Sequence, residues 1–361
     1  MELDMDERFA IRLRREVLRA PERLGDAIEL DWQAMKLRVI VTGAAGFIGS
    51  NLSEKLLSLG HEVVGLDNFI RGTRSNLQSV NEHENFQFLE RDLCEITALD
   101  DVEGDALVHL ASYKIPRYTD ALDTLGFNAL MVKNVVDHCL KHKLKLIFAS
   151  TSDVYGKNPS VPFHEGSDLV MGPVTVKRWA YAVSKIFAEQ YILAAHAKHG
   201  LSFTVARLFG SYGPRQNPTW WGGPQSVFIE GALNRSPIEI HGTGNQTRTF
   251  TYVDDTVDGI LRCIVDQKAC NEIFNVGSEI CSEITILQLA TEIWRLINPA
   301  DGEPLLKFIP YSSFGNYEDV MRRVPDITKI KSMLGYKPKI GLREGLIKTI
   351  DWRKTATAQN S

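Results

Sequence analysis

Residues 42–49 read T-G-A-A-G-F-I-G, directly after the apolar run of residues 37–41, L-R-V-I-V. A short β-branched run that ends in glycines and reopens on an apolar stretch predicts strand, tight turn and helix. Gly43 suits the turn, while Gly46 and Gly49 let a ligand and the strand come close to the new helix. The unpaired N–H groups at the start of that helix suit phosphate oxygens. The next strand, E-V-V-G-L-D, ends in Asp67, eighteen residues after Gly49. An acid there accepts hydrogen bonds from ribose hydroxyls and disfavours an extra phosphate, so the stretch predicts a site for NAD rather than NADP. Arg71 and Arg74 follow closely and leave the opposite cofactor preference open.

Outward from this unit, F-Q-F-L-E-R-D-L, A-L-V-H-L-A, L-K-L-I-F-A-S and S-F-T-V-A-R-L-F read as further strands. Helices are expected over about 48–59, 124–142 and 173–196. Strands alternating with helices at this spacing imply a parallel sheet covered on both faces. The fold expected is α/β, a Rossmann-type doubly wound sheet with a smaller C-terminal substrate-binding lobe. Residues 1–36 form an N-terminal extension of helical pattern, 37–212 the dinucleotide-binding domain, 213–350 mainly the lobe with segments returning to the core, and 351–361 a tail. The chain of 361 residues is 44% hydrophobic with a formal net charge of -4, ample for a large core and without a pull toward nucleic acid. Five cysteines without paired spacing read as reduced residues of a cytoplasmic protein. No apolar run is long enough to span a bilayer. No histidine or cysteine cluster suggests a metal, and His138 and His142 read as solvated helix residues.

The reacting centre is expected where A-S-T-S-D-V-Y-G (149–156) follows a buried strand and Y-A-V-S-K (181–185) opens a helix. Tyr181 and Lys185 are one helical turn apart, and an ammonium beside a phenol favours the phenolate, giving a base for a sugar hydroxyl. Thr151, at the strand end, is placed to hydrogen-bond the same hydroxyl.

These motifs, with H-L-A-S, G-P-R and R-T-F-T-Y-V-D-D, resemble the extended short-chain dehydrogenases/reductases that modify nucleotide sugars, over roughly residues 37–350. The resemblance implies a tightly held NAD that oxidises the sugar at C4 and is reduced again before product leaves. It implies cofactor contacts from Gly43, Gly46, Phe47, Ile48, Gly49, Asp67, Asn68, Asp92, Leu93, Leu110, Ala111, Ser112 and Lys114, with Tyr181 as base and Lys185 on the nicotinamide ribose. It also implies a UDP-linked substrate and a homodimer built through a bundle containing the Tyr/Lys helix.

The fate of a C4 ketone divides the family. Uronic acid decarboxylases characteristically carry Thr-Ser-Glu before V-Y-G and an arginine in a later R-x-P segment. This chain has Thr151-Ser152-Asp153 and, in R-R-V-P-D-I, Arg323 at the matching position. A uronic acid decarboxylase is therefore the leading reading. A 4-epimerase stays open because Asp153 is one methylene short, and because Lys114 falls where galactose-type 4-epimerases place a lysine. A dehydratase is disfavoured, since dehydratases usually show Asp-Glu before V-Y-G. A non-enzymatic dinucleotide-binding protein is disfavoured by the retained Thr151, Tyr181 and Lys185. Lys114 and Arg117 are expected near a substrate carboxylate, Ser152 near the sugar, and Arg215, Arg248 and Arg322 near phosphate. Lys177 and Arg178 read as rim residues, Asp254 and Asp255 as lobe supports. Trp220 and Trp221 read as a loop that covers substrate or a dimer contact. Gly210 replaces an asparagine usual in relatives.

Overall fold

Alternating faces build the centre of the molecule. In the computed structural model, which describes residues 36–114 and 121–358, the apolar positions of the inner strands bury in both directions. The extension, apart from Lys36, and Arg117 lie outside the described residues. Seven parallel strands, β1 (Arg38–Thr42), β2 (Glu62–Asp67), β3 (Phe86–Glu90), β4 (Ala106–His109), β5 (Lys145–Thr151), β6 (Phe203–Leu208) and β7 (Glu272–Val276), lie in the order β7-β6-β5-β4-β1-β2-β3. The helices are α1 (Phe47–Ser58), α2 (Ala121–His142), α3 (Trp179–His199), α4 (Pro224–Leu233), α5 (Val253–Val265), α6 (Ile286–Ile297), α7 (Thr328–Leu334) and α8 (Leu342–Ala358). Val39 and Val41 pack with Leu52 and Leu56 of α1 and Ile260 and Ile264 of α5. Ile40 faces the other way, with Val132 and Val135 of α2 and Ile192 of α3. The period of two along each strand thus dresses both faces of one sheet, and each fully buried Val, Leu or Ile contributes about 1.5–3 kcal/mol.

The order reverses between β1 and β4, so the loops leaving their ends diverge and open a crevice. Thr42 Oγ1 and His109 Nδ1, 2.8 Å apart and buried, pin the two strand ends at that point. The smaller lobe is assembled from separate segments. α4 and α6 share its core through Phe228, Ile229, Leu289 and Ile293, beside a parallel strand pair, Ile238–His241 and Leu306–Ile309. A capping box between Thr285 and Gln288 starts α6. Residues 253–276 return to the large sheet as α5 and β7. Asp255 supports this junction by accepting from the Lys339 and Ile340 amides at 2.8 and 3.0 Å.

Three expectations shift. α3 begins at Trp179 rather than near 173, because residues 173–178 form successive tight turns (Val176 N–H to Pro173, Trp179 N–H to Val176). Much of the expected tail is helical, since α8 runs to Ala358. His138 is buried, its ring 4.5 Å from that of His142, and burial pushes it down to about 4. All five cysteines are unpaired.

A buried polar network ties α3 to the sheet. Arg207 of β6 donates to both carboxylate oxygens of Glu189 on α3, from Nε at 3.1 Å and Nη2 at 2.7 Å. Ser150 of β5 donates to the same carboxylate. The third guanidinium nitrogen reaches the Tyr155 hydroxyl at 2.9 Å and the Glu165 carbonyl at 3.1 Å. Tyr155 donates to Asn275 of β7 at 2.7 Å, and the Asn275 amide donates to the Phe163 and Asp326 carbonyls. Arg207 and Glu189 are about 95% buried, so loss of one partner strands the other charge in the interior. Glu189→Ala is therefore expected to destabilise the protein by roughly 3–5 kcal/mol, measured by urea unfolding, with a smaller loss for Glu189→Gln.

Candidate active site

The turn after β1 is shaped as a cradle. Gly43 has φ +73°, and a Cβ on it would lie 2.8 Å from the Ala111 amide nitrogen. A Cβ on Gly49 would lie 2.0 Å from the Gly43 carbonyl oxygen, inside backbone that cannot give way. No side chain caps the start of α1 and its first turn holds no acid, which leaves Phe47, Ile48 and Gly49 presenting amides to an anion. Asp67 accepts from the Ala45 and Phe69 amides at 3.0 and 2.8 Å, and burial raises its carboxyl against those bonds. It faces a slot of about 190 Å³ lined also by Asn68, Asp92, Leu93, Leu110 and Ala111. The slot is mostly apolar with carboxylates at its edge, as an adenosine requires. Every cofactor residue expected from sequence and described here lines this slot or the adjoining cleft of about 930 Å³. Arg74 does not turn toward them: it pairs with Glu90 at 2.6 Å and covers the Phe69 ring.

Tyr181 and Lys185 project from the first two turns of α3 into the large cleft, opposite Thr151. The Ser112 and Thr151 hydroxyls both lie within hydrogen-bonding reach of the phenol. Burial, reinforced by the nearby Asp153 carboxylate, raises the phenol well above its ordinary range. Lys185 donates to the Ala149 carbonyl at 2.9 Å, and its Nζ lies 6.0 Å from the centre of the Tyr181 ring. Burial pushes the ammonium down to about 7, against the opposing pull of Glu189. Burial and Asp153, rather than Lys185, set the direction of the phenol's shift, opposite to the depression expected from the lysine. Asn128 was not legible as a site residue. It faces inward from α2, accepts from the Tyr113 amide at 2.7 Å and donates to Ser184 at 2.9 Å, holding the 112–113 loop against α3. Its only sequence signal is an amide one turn from apolar Met131 and Val132, on a face otherwise given to the core.

Beside the phenol lies a cluster of charge. Asp153 is 2.7 Å from Arg323 Nη1 and 3.5 Å from Arg178 Nη2. Burial works to raise its carboxyl, but Arg323, Arg178, Lys114 and Arg248 together hold it below the usual carboxylate range. Asp319, unmarked in the sequence reading, binds Arg248 at 3.1 Å and accepts from the Tyr311 hydroxyl at 2.7 Å. Burial and the neighbouring Arg323 push Arg248 down to about 10, still charged at neutral pH. The Arg323 Nε–H is buried without a partner. Three guanidiniums against two carboxylates leave the cleft suited to an anion.

The two-residue strand at 322–323 explains which arginine arrives. Arg323 registers beside Arg248 in a short parallel pair, and Arg322 beside Thr247. Successive side chains leave a strand on opposite faces, so Arg322 points outward and is held by Glu283 at 2.8 Å. Arg322 does not line the cleft, contrary to expectation. Lys177 is exposed outside it, while Arg178 enters, reversing their shared reading as rim. Arg215 lines the cleft but is bound to Glu54 and to Ser79 Oγ at 3.1 Å. Ser152, Lys114, Trp220 and Trp221 also line it. Gly210 has φ +52°, and its Cβ would strike the Thr249 carbonyl at 2.4 Å, so an asparagine does not fit here. Among the described residues no group of side chains is arranged to hold a metal ion, and no helix is long and apolar enough to cross a membrane.

The depressed Lys185 gives a signed pH dependence. Between about pH 7 and the ordinary lysine range the unfolded chain holds the proton and the folded one does not, so stability rises with pH there. Lys185→Met is expected to raise the melting temperature of the cofactor-free protein more at pH 6 than at pH 9. Activity should fall about 10²–10⁴-fold at both. Calorimetry across that range checks the sign.

Comparison with known proteins accords with this geometry. Residues 39–277 match the NAD dependent epimerase/dehydratase family. The UDP-N-acetyl-alpha-D-glucosaminuronate decarboxylase of Bacillus cytotoxicus is 34% identical over 325 residues, covering 88% of this chain and 98% of that protein. UDP-glucuronic acid decarboxylase 1 of Xenopus tropicalis is 35% identical over 319 residues, covering 87% and 72%. Among solved structures, the UDP-glucuronic acid 4-epimerase of Bacillus cereus in complex with UDP-glucuronic acid and NAD superimposes with a TM-score of 0.78 at 28% identity. That likeness covers 88% of this chain and 99% of the other. With its glycine cradle, its acid-lined adenosine slot and its Tyr181–Lys185 helix, the chain belongs to the NAD-dependent epimerase/dehydratase family and uses NAD as its cofactor.

Proposed function

We propose that this protein is a nucleotide-sugar decarboxylase acting on UDP-glucuronate or a close uronate analogue. The observation that carries the reading is the ion pair between Asp153 and Arg323, set beside Tyr181 and shared with Arg178. Bound NAD supplies the acceptor and donor of a hydride. Tyr181, once deprotonated with cofactor and substrate in place, takes the proton of the C4 hydroxyl, with Thr151 and Ser112 orienting the oxygen. Oxidation places a ketone β to the C6 carboxylate, so the C5–C6 bond can break with its electrons drawn into the ketone and carbon dioxide leaving; C5 then takes a proton from solvent, and C4 regains the hydride and O4 the proton held by Tyr181. Arg323 and Arg178 hold that carboxylate before cleavage, and Arg248 faces the diphosphate. Arg323 brings an unused buried N–H to this task. The resemblance to decarboxylases of two uronate sugars supports the assignment.

A uronate 4-epimerase is the second reading, favoured by a specific observation. Asp153 is already engaged by two arginines and is one methylene shorter than the glutamate of the decarboxylase pattern. Misplacement of such a group by 1 Å can cost about 10²-fold in rate. Epimerisation needs only rotation of the keto sugar and return of hydride to its other face. The likeness to a UDP-glucuronic acid 4-epimerase supports this alternative.

We further propose a homodimer through α2 and α3, whose outer faces expose Leu122, Leu125, Leu130, Val183 and Phe187. Phe187→Arg is expected to halve the apparent mass in light scattering. For the reaction, incubation with UDP-glucuronate is expected to release carbon dioxide and yield a UDP-pentose; a product of unchanged mass would instead establish epimerisation. Arg323→Ala should slow decarboxylation about 10²–10³-fold, the scale of losing one placed charge at the reacting group. A transient of reduced cofactor should persist in it, followed by the near-ultraviolet absorbance of the reduced nicotinamide.

A further inference from the structure

A contact across the cleft joins the cofactor side to the lobe. Arg71 sits on the loop after β2 and borders both the adenosine slot and the large cleft. Its guanidinium carbon lies 3.5 Å from the centre of the Trp221 ring. From the other side, Lys114 Nζ approaches the Trp221 carbonyl oxygen at 3.5 Å. Trp221 therefore meets one side chain from the loop after β2 and another from the loop after β4.

Both banks are braced. The Arg71 loop is fastened to the glycine cradle: Thr73 N–H and the Asn76 side chain donate to the Ala45 carbonyl at 3.1 and 2.9 Å. The Trp221 loop is closed on itself, with Gln216 donating to the Gly222 carbonyl at 2.5 Å and the Gly222 amide to Thr219 at 2.9 Å. Asn51 of α1 holds its base through the Pro214 carbonyl at 3.2 Å. A cation stacked flat on an indole is attracted to its face, while the guanidinium edge keeps N–H groups for an anion. Arg71 borders both the slot and the cleft and Trp221 lines the cleft, so the stack bridges the cofactor side and the lobe beside their junction.

We propose that Arg71 and Trp221 form a clasp that slows the escape of bound NAD between and during turnovers. This rests on the reading above, in which the two electrons taken from the sugar at C4 are returned to the same sugar. If the reduced dinucleotide left early, the sugar would stay a ketone, one reduced dinucleotide appearing for each keto sugar. Arg71 and Trp221 act by position and take no part in proton transfer.

The test uses the full chain loaded with NAD and, in its first arm, no sugar. NAD loss is followed after addition of an excess of an NAD-consuming scavenger enzyme. Trp221→Ala and Arg71→Ala are each expected to accelerate loss about tenfold, and the double variant no more than either single one. Trp221→Phe, which keeps an aromatic face, should stay within about threefold of wild type. Arg74→Ala, whose partner is Glu90, should match wild type. Equal retention by Trp221→Ala and wild type, or equal loosening by Arg74→Ala, overturns the clasp. In the second arm UDP-glucuronate is added, and Trp221→Ala should accumulate keto sugar and reduced NAD in equal amounts while wild type accumulates neither. If no variant turns over the sugar but the first arm still shows accelerated loss, the reaction assignment fails and the clasp stands.

Discussion

The buried pair of Arg207 and Glu189 is the constraint on which the rest of the site depends. It is bidentate, almost wholly removed from water, and connects the helix of the reacting tyrosine to the strand beside it. A guanidinium in that position must have all its N–H groups satisfied, and those not spent on Glu189 fix Tyr155 and the Glu165 carbonyl. Tyr155 closes the turn that carries Ser152 and Asp153, and through Asn275 the same network holds the Asp326 backbone, three residues beyond Arg323. One desolvated ion pair thus links the helix of Tyr181, the turn of Asp153 and the segment that follows Arg323. An ion pair so deep is weak evidence of net stability, but it specifies geometry, because any other arrangement leaves a charge unpaired.

Around that frame the cleft divides into two electrostatic regimes. Near Tyr181 and Lys185 burial dominates: the phenol is driven toward its neutral form and so is the lysine. Neither group is charged without cause in a place that keeps water out. Near Asp153 and Asp319 mutual attraction dominates, and opposite charges hold one another ionised despite burial. The first regime suits a proton that moves only when substrate and cofactor are in place. The second suits recognition of a permanently charged substrate, whose anion would relieve the excess of guanidinium.

Much of this was legible in the sequence because it depends on local signals. The glycine turn, Asp67, the Thr151–Asp153 turn and the Tyr181/Lys185 spacing are each set by neighbours along the chain, and all lie where the pattern placed them. The failures share a cause. Arg322 and Arg323 are adjacent, and only the register of a two-residue strand decides which one faces inward. Arg178 and Lys177 are likewise adjacent, in the turn before α3, and only Arg178 enters the cleft. Asp319 and the Arg71–Trp221 stack depend on segments far apart in sequence, and no local periodicity marks them. Lys185 was identified by position but its charge was not, since the desolvation that moves it comes from the surrounding packing rather than from Tyr181.

Asp153 and Arg323 are 170 positions apart, and the arginine reaches the site on a strand of only two residues. Tyr181, Lys185 and Thr151 are all encoded before residue 210, whereas the arginine that pairs with Asp153 arrives on a short, separately encoded strip of the lobe. A change confined to that strip would therefore reshape the charge around Asp153 while leaving the glycine cradle and the adenosine slot as they are.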